Sequence, residues 1–316
     1  MSGPGSAPNS KISWARPIRR ALQRLARDRR SGSGELARRA VALLEDFHFP
    51  GASRDSKETP AVCVRLAHAV AQAQPSMAAV LNVCNRWLLA VEQGESPREA
   101  ARAVARQLRQ GQHLAALRAA TLVEDGAAVV TYSFSSTVLA ALLASWNRGR
   151  RFRVLCSEAR PQMEGRLLAE RLARQQVPVE FFTDAALFSS FAAGSLVLVG
   201  CDALESRTFV NKVGTRALLS LARRSRLSFY VVADPFKFLP AKLRRWFRIR
   251  RERAVEVWRP PRKNVLVHNL YFEKVPLRSV TAIVTDTGAW APERIRDFLG
   301  NVAIARGFEG KPASSA

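Results

Sequence analysis

Residues 127–147 read AAVVTYSFSSTVLAALLASWN, and this stretch decides the fold class. A β-rich run, 127–133, leads through a hydroxyl-rich turn into an apolar segment that begins like a helix. Five further β-rich runs alternate with helical segments, at residues 152–158, 179–184, 195–200, 228–234 and 281–286. Because this alternation is typical of a mostly parallel sheet, we predict an α/β fold, with a Rossmann-like domain in residues 126–300.

Most of the β-rich runs end in a small or polar residue. Open α/β sheets bind ligands in the crevice beyond the carboxyl ends of their strands. We therefore expect one rim to carry residues 131–136 and 158–161 together with Asp184, Asp202, Asp234 and Asp286. The domain is thus predicted to hold a phosphorylated sugar or nucleotide at that rim.

The segment before this domain reads differently. In residues 17–125 Leu, Ala and Val recur at three- and four-residue spacing, which predicts a helical N-terminal domain. One amphipathic helix covers residues 34–47, with Ser33 or Ser31 as its cap, and Ser96, Pro97 and Glu99 open another in the order a helix start prefers. Residues 1–16 are expected to be a flexible leader and residues 301–316 a flexible tail.

The charge of the chain is strongly positive. The 316 residues contain 50 Lys and Arg against 26 Asp and Glu, a formal net charge of +24. This balance favours phosphate-bearing partners. Coding bias toward Arg and Ala is an equally good explanation, so charge alone does not name a partner.

Cysteine spacing and hydropathy exclude several classes of protein. The four cysteines form no C-x-x-C pair, so the sequence indicates neither a metal site nor a disulfide framework, and we predict no cofactor. No stretch has the length of a membrane span, and the first residues lack an apolar signal-peptide core. We expect a cytoplasmic protein with reduced thiols and no membrane partner.

Two loops at predicted strand ends suit a phosphorylated ligand. Arg160 precedes Pro161, which fits the first turn of a helix, and an arginine beside a helix N-terminus makes a phosphate site. A surface pair of Arg160 with Glu158 or Glu164 is the alternative. The loop of residues 200–215 gathers Asp202, Asn211 and Lys212 beside a glycine turn, and a plain Asp202–Lys212 surface pair is the alternative there.

The turn of residues 131–138 is rich in hydroxyls. Thr131, Ser133 and Ser135 are candidates to contact a ligand, although Ser and Thr in this position often only cap a helix. No G-x-S-x-G elbow surrounds them, and no histidine lies near a strand end that would serve as a base. The sequence therefore does not indicate a hydrolase.

Four motifs in order resemble a known family: TYSFSST at 131–137, SEARPQMEGR at 157–166, GCDAL with NKVGT within 200–215, and FYVVADPFKF at 229–238. The family joins the alpha, beta and delta subunits of eukaryotic translation initiation factor 2B with isomerases of methylthioribose 1-phosphate and ribose 1,5-bisphosphate. The resemblance runs from residue 28 to 292. It implies a helical domain on a Rossmann-like domain, homodimers and often higher homo-oligomers.

The resemblance also implies roles for individual residues. Arg30, Ser31 and Gly32 match a loop that closes over the ligand, although the isomerases favour R-G-A there. Arg160 matches a phosphate-binding arginine. Asn211 and Lys212 match a substrate-binding pair, and Asp202 matches the carboxylate that the isomerases use in proton transfer.

One departure from the isomerases bears on catalysis. Their motif after the first strand is T-H-C-N-[ST], whose cysteine is the proton-transfer partner of the aspartate, and Ser133 holds that position here. A serine hydroxyl is far too weak an acid to replace a thiol unaided. The regulatory subunits also lack this cysteine. Two hypotheses remain. One is a non-catalytic binding protein acting through assembly or regulation of translation. The other is an aldose-ketose sugar-phosphate isomerase in which Asp202 acts with Ser133 or with another substitute for the thiol, such as Cys156 or Cys201 near other strand ends.

A nucleic acid is a further candidate partner. Residues 242–263 interleave Arg and Lys with Trp246, Phe247 and Trp258, a composition that can neutralise phosphates and stack on bases. The family has a variable insertion here, so a solvated loop or an oligomer contact is the alternative.

Overall fold

The described residues before residue 121 form helices joined by short turns, as their apolar spacing predicts. The structure is a computed structural model and describes residues 14–47, 59–190, 196–260, 262 and 264–310. The helices of this part are α1 (Arg16–Arg27), α2 (Ser33–Glu45), α3 (Thr59–Ala73), α4 (Ala78–Glu92) and α5 (Pro97–Ala120). Residues 1–13 of the expected leader lie outside the described residues, and α1 begins at Arg16. No helix in the described part is long and apolar enough to cross a bilayer.

The starts of two helices test the predicted caps. Helix α5 begins as expected, because Ser96 Oγ accepts a hydrogen bond from the Glu99 N–H at 3.3 Å and Pro97 takes the first position. Helix α2 differs from the prediction. Its N-cap position is Gly32, with no side-chain cap, and the hydroxyl of Ser33 instead accepts a hydrogen bond from Lys237. Ser33 is thus turned toward the α/β domain.

The rest of the chain alternates strands and helices. The strands are β1 (Ala128–Val130), β2 (Arg153–Ser157), β3 (Val179–Phe182), β4 (Leu196–Gly200), β5 (Ala203–Leu204), β6 (Thr208–Lys212), β7 (Ser228–Val232), β8 (Phe272–Pro276), β9 (Ala282–Val284) and β10 (Ala289–Trp290). The helices are α6 (Ser136–Asn147), α7 (Glu164–Ala173), α8 (Asp184–Ser189), α9 (Thr215–Arg224) and α10 (Arg294–Gly300).

The main sheet has seven strands in the order β10-β9-β7-β4-β1-β2-β3. Every neighbouring pair is parallel except β9 with β10. All six predicted strands are present in it, which confirms the α/β class and the mostly parallel sheet. The carboxyl ends of β1 and β4 lie side by side, because these two strands pair in parallel register.

A second, antiparallel sheet was not predicted. It consists of β5, β6 and β8, and it replaces the loop expected over residues 200–215. Asn211 and Lys212 therefore lie on a strand, paired in register with Glu273 and Phe272. The strand forms because Phe209 and Val210 are fully buried, and it fixes the two polar side chains that follow them.

The core of the helical part also takes up later residues. Phe236, Leu239 and Leu243 pack into it, as do Ala305 and Phe308 from the end of the chain. The expectation of a flexible tail is therefore wrong for residues 301–310, since Phe308 is fully buried and its carbonyl accepts a hydrogen bond from Trp246 Nε1 at 3.2 Å. Residues 311–316 lie outside the described part. Because residues from both sides of the predicted domain boundary share this core, the division into two domains at residues 125 and 126 stays a prediction.

The basic segment is divided between core and surface. Trp246 is 5% exposed and Phe247 packs against the helical core, so neither can stack on a base. Arg250 pairs with Glu252, and Arg244 lies 3.5 Å from Glu205. Trp258 is the exposed aromatic of the three named in this segment. Trp246 and Phe247 are thus withdrawn from the predicted aromatic and basic surface of residues 242–263, whereas Lys242, Arg244, Arg245 and Arg248 remain exposed on it.

Candidate ligand pocket

A cavity of about 330 Å³ lies between the helical part and the carboxyl ends of β1, β4 and β6. Its walls come from residues 28–34, from the turn 132–137 and from Gly200–Asp202. Of the predicted site residues, eight line it: Arg30, Ser31, Gly32, Ser133, Ser135, Asp202, Asn211 and Lys212. Thr131 and Arg160 do not. Of the rim expected from the strand ends, residues 132–136 and Asp202 line the cavity, whereas residues 158–161, Asp184, Asp234 and Asp286 do not.

The loop before α2 is held by Asp28. Its Oδ1 accepts hydrogen bonds from the N–H groups of Arg30 at 3.0 Å and Ser31 at 2.9 Å. Burial acts to raise the pKa of Asp28, but the hydrogen bonds from Ser31 and Arg30 outweigh it, so the pKa is lowered. Gln74 Nε2 donates a hydrogen bond to the Asp28 carbonyl at 2.9 Å. The loop is therefore ordered by an ionised carboxylate, and the Arg30 side chain stays exposed.

The turn after β1 presents Ser133 to the cavity. Ser133 adopts a left-handed backbone conformation with φ of 69°, which is unfavourable for a residue with a side chain. Its hydroxyl donates to Glu164 Oε1 at 2.9 Å. Ser135 caps α6 by accepting from the Val138 N–H at 3.3 Å. Thr131 is buried, with its N–H paired to the Leu155 carbonyl, so its position is structural.

Asp202 shares the cavity wall with a lysine that the sequence analysis did not single out. Burial raises the pKa of Asp202, opposed by the charge of Lys237, by a hydrogen bond from Ser33 and by the charge of Lys212. Lys237 is buried, and its ammonium donates to Ser33 Oγ. Its signal was the DPFKF motif after β7, which places a lysine at a strand end. A carboxyl group with a raised pKa beside an ammonium can exchange a proton with a ligand.

Lys212 pairs with Glu164 rather than with Asp202. The Nζ to Oε1 distance is 2.7 Å, and the Lys212 side chain is only 2% exposed. The ammonium also lies 5.0 Å from the centroid of the Tyr271 ring. Since Glu164 Oε1 accepts from Ser133 as well, Ser133, Glu164 and Lys212 form one connected cluster. Asn211 braces the following turn by donating to Thr215 Oγ1 at 3.1 Å.

The predicted phosphate-binding arginine lies outside the cavity. Arg160 is exposed, and its backbone N–H donates to Asp184 Oδ2 at 2.8 Å. Helix α7 begins at Glu164, after a left-handed Met163, so Pro161 is not in its first turn. Asp184 explains the difference, because it also accepts from Ser157 Oγ and the Ala159 N–H and fixes the loop ahead of the helix.

In the described part of the chain, no thiol with an unshifted pKa lines the cavity. All four cysteines are free and buried. Cys201 lines the cavity, but burial raises the pKa of its thiol, an effect that the nearby Lys237 charge only partly opposes. Burial likewise raises the pKa of Cys156 to about 12. Neither sulfur is suited to acid–base work near neutral pH.

Charge in the cavity is mixed. The basic side chains are Arg29, Arg30, Lys212, Lys237 and Arg250, and the carboxylates are Asp28, Glu164, Asp202 and Glu252. Arg29 lies 3.0 Å and Arg250 lies 3.5 Å from Glu252, which joins the helical part to the segment before β8. Arg30 makes no ion pair with any described residue. Basic groups and hydroxyls at strand ends suit an anionic, hydroxylated ligand.

Fold and cavity together define an α/β protein whose helical part packs across the carboxyl ends of its parallel strands, with a cavity between them. The family model described as the initiation factor 2 subunit family matches residues 29–292, and the chain belongs to that family. A putative translation initiation factor eIF-2B subunit 2-like protein of Pyrococcus horikoshii is 29% identical, over 86% of this chain and 96% of that protein.

Two other similarities point in different directions. A ribose 1,5-bisphosphate isomerase of Methanocaldococcus jannaschii is 24% identical, over 83% of this chain and 87% of the enzyme. The crystal structure of the Pyrococcus horikoshii translation initiation factor eIF-2B superposes with a TM-score of 0.74 at 25% identity, over 89% of this chain and 99% of that one. The predicted resemblance is confirmed, and relatives of both kinds, factor and isomerase, share the fold.

Proposed function

We propose that this protein binds a phosphorylated sugar or nucleotide in the cavity and acts without turnover, through assembly or the regulation of translation. The observation that carries the proposal is Ser133. It stands where the isomerases resembled by this sequence have their proton-transfer thiol, and its hydroxyl already donates to Glu164 at 2.9 Å. With both nearby cysteines buried and their pKa values raised, the cavity has no replacement for that thiol.

The ligand class follows from the lining. Arg30 is exposed at the loop before α2 without an ion pair to a described residue, so it can meet a phosphate. Asp202 and Asn211 supply acceptor and donor atoms for sugar hydroxyls. A cytoplasmic location remains part of this proposal.

The alternative is an aldose-ketose isomerase of the ribose 1,5-bisphosphate or methylthioribose 1-phosphate type. One observation favours it: the pKa of Asp202 is raised by burial while Lys237 and Ser33 hold it in place, an arrangement that a binding protein does not need. The reaction moves a proton between the first two carbons of the sugar, so a second acid–base group is required. Ser133 is the nearest match to that position.

The deciding experiment measures turnover and binding on the same preparation. Purified full-length protein and its Asp202→Asn variant are given ribose 1,5-bisphosphate and methylthioribose 1-phosphate, and binding of both and of nucleoside monophosphates is followed by calorimetry. Binding without turnover is expected. Turnover that disappears in the variant would establish the isomerase instead, and absence of both would reject the ligand pocket itself.

Assembly is the second half of the proposal. Apolar side chains are exposed on the segment between β7 and β8, among them Val257, Trp258 at 51%, Leu266 at 80% and Leu270. Exposed apolar surface of this kind marks interaction sites, so we propose that it joins copies of the chain into a homodimer or larger homo-oligomer. Sedimentation velocity of a Trp258→Ser, Leu266→Ser variant should show a smaller species, while Phe181→Ser, an exposed apolar site on β3, should not.

A further inference from the structure

A second cleft lies at the amino ends of the parallel strands, opposite the ligand pocket. It measures about 700 Å³ and is found where β7 and β9 begin, away from the ligand pocket. Its walls combine basic and hydroxyl side chains with one half-buried leucine: Arg223, Arg226, Leu227, Ser228, Arg278, Ser279 and Thr281. We call this set the arginine cleft. Its arginines come from the end of α9 and from the turn after β8, more than fifty residues apart in the sequence.

The charges of the arginine cleft are uncompensated. No described carboxylate lines it, and none of its three arginines forms an ion pair with a described residue. Some arginines elsewhere are paired, as Arg102 is with Glu45 at 2.9 Å. All three arginines are exposed, so their guanidinium groups are free to meet an anion from solvent.

One arginine of the cleft is held in an unfavourable backbone conformation. Arg226 follows the end of α9 with φ of 56°, and the next N–H, of Leu227, donates back to the Ala222 carbonyl at 2.9 Å. This position of a helix end favours glycine, because other residues lose free energy in the left-handed region. The dipole of α9 explains a basic residue at Arg223, in its last turn. It explains neither a strained arginine at 226 nor Arg278 across the cleft.

The shape and lining of the cleft point to an extended ligand. The cleft is open to solvent, so a small anion would remain hydrated in it, whereas a chain of phosphates could contact several guanidinium groups at once. The described lining contains no aromatic side chain, and Leu227 is half-buried, so neither base stacking nor insertion into a membrane is favoured. Backbone phosphates are the groups that match.

We propose that the arginine cleft binds the phosphate backbone of single-stranded RNA, without sequence preference. Arg223, Arg226 and Arg278 contact successive phosphates, and the hydroxyls of Ser279 and Thr281 donate to the same oxygens. The net charge of +24 brings the RNA to the surface. This site is separate from residues 242–263, where Trp246 is committed to the core, and it does not depend on what the ligand pocket holds.

The test uses the salt dependence of binding by the full chain. Fluorescence anisotropy of a short, mixed-sequence RNA is measured over a series of KCl concentrations, for wild type and for an Arg223→Gln, Arg226→Gln, Arg278→Gln variant. Each phosphate contact with a single strand contributes about 0.7 to the slope of log K against log salt, so losing three contacts should lower the slope by about 2. An Arg98→Gln, Arg106→Gln, Arg109→Gln variant, altered on the exposed face of α5, loses the same charge and should keep the wild-type slope.

Each outcome decides the proposal. A lower slope in the cleft variant alone supports it. Equal losses in both variants, an unchanged slope in the cleft variant, or no salt-dependent binding by wild type overturns it. Arg278→Gln by itself leaves α9 intact and should lower the slope by about 0.7, which keeps the test valid if the triple variant fails to fold.

Discussion

Charged side chains are paired differently at the two ends of the parallel strands in the main sheet. At the carboxyl ends of the strands, the two buried lysines of the ligand pocket have carboxylates close by: Lys212 is paired with Glu164 at 2.7 Å, and Lys237 lies beside Asp202. At the amino edge, Arg223, Arg226 and Arg278 have no such partner among the described residues. The main sheet therefore has buried, paired lysines near the carboxyl ends of some strands and exposed, unpaired arginines near the amino ends of others.

This difference separates two modes of recognition. Buried charges must be paired, because desolvation costs more than an isolated charge can recover, and pairing fixes their positions. A ligand entering such a pocket is selected by the geometry of donors and acceptors. Exposed, unpaired arginines are not fixed in this way, so they respond to the charge density of a partner and to salt. The predictions that follow test this contrast, beginning with the largest expected effect.

Replacing Ser133 by cysteine should create turnover. If the paired charges of the pocket already hold a sugar phosphate in place, the thiol is the missing acid–base group, and such a group contributes about 10²–10⁴-fold to a rate. We expect Ser133→Cys to isomerise ribose 1,5-bisphosphate or methylthioribose 1-phosphate at a rate that exceeds the background measured with wild type by a factor in that range. A coupled assay for the ketose product measures it.

Two matched variants accompany this test. Ser133→Ala should remain inactive, and a Ser133→Cys, Asp202→Asn variant should lose the gain, because the thiol needs its carboxylate partner. If Ser133→Cys binds the sugar phosphate as wild type does and still shows no turnover, the pocket lacks more than a thiol, and the contrast with the isomerases lies elsewhere in the site.

The pocket shows which parts of a site can be read from a sequence. Ser133 and Asp202 line the cavity because each ends or follows a β-rich run, and parallel strands bring their carboxyl ends to one rim. Asn211 and Lys212 line it from β6, a strand that was not predicted. The class of fold follows from the same alternation of elements. The fold class and the residues at strand ends can be predicted from local sequence, and they depend little on the register of the sheet.

The parts that the sequence did not reveal depend on tertiary contacts. Arg160 was expected at the pocket, but Asp184 holds its backbone away from the start of α7. Lys237 was missed because its partners, Ser33 and Asp202, are remote in sequence. The arginine cleft could not be predicted from the sequence either, because Arg278 and Arg223 line the same cleft only when β7 and β9 pair.

Breaking the buried pair of the pocket should cost more stability than removing a cleft arginine. Lys212→Met leaves Glu164 without its cation in a mostly buried position, and such a loss costs about 3–5 kcal/mol. The exposed Arg278→Met change should alter the free energy of unfolding by no more than about 0.5 kcal/mol. Urea unfolding measures both. A Lys212→Met, Glu164→Gln variant should recover much of the loss, and its failure to do so would show that Lys212 acts through packing rather than charge.

The stability effect of Asp202 should depend on pH. Burial raises the pKa of this carboxyl in the folded state, so the native protein binds the proton more tightly than the unfolded chain does. The free energy of unfolding contributed by Asp202 therefore falls as pH rises from about 4 through the raised pKa, by about 1.4 kcal/mol for each unit of that rise. We expect Asp202→Asn to become more stable relative to wild type across that window and to show a constant difference above it.

A carboxylate with the opposite shift provides the control. Hydrogen bonds from Arg38 lower the pKa of Glu35, with burial opposing them, so Glu35→Gln should lose stability relative to wild type as the pH rises from below its folded pKa toward its ordinary value. The effect should be small, because the pair is exposed. Urea unfolding at several pH values measures both trends. If the two variants give pH trends of the same sign, burial does not raise the pKa of Asp202.

The smallest expected effect concerns the strained arginine of the cleft. Arg226→Gly removes the penalty of a side chain in the left-handed region and should stabilise the protein by about 0.5–1 kcal/mol, measured by thermal unfolding. Arg226→Ala removes the same guanidinium but keeps the strain, so its stability should stay close to wild type while RNA binding falls equally in both. Together the two variants separate backbone strain from charge. A glycine variant that is no more stable than the alanine variant would mean that the left-handed turn at residue 226 costs the fold no free energy. The arginine at that position would then no longer point to a ligand.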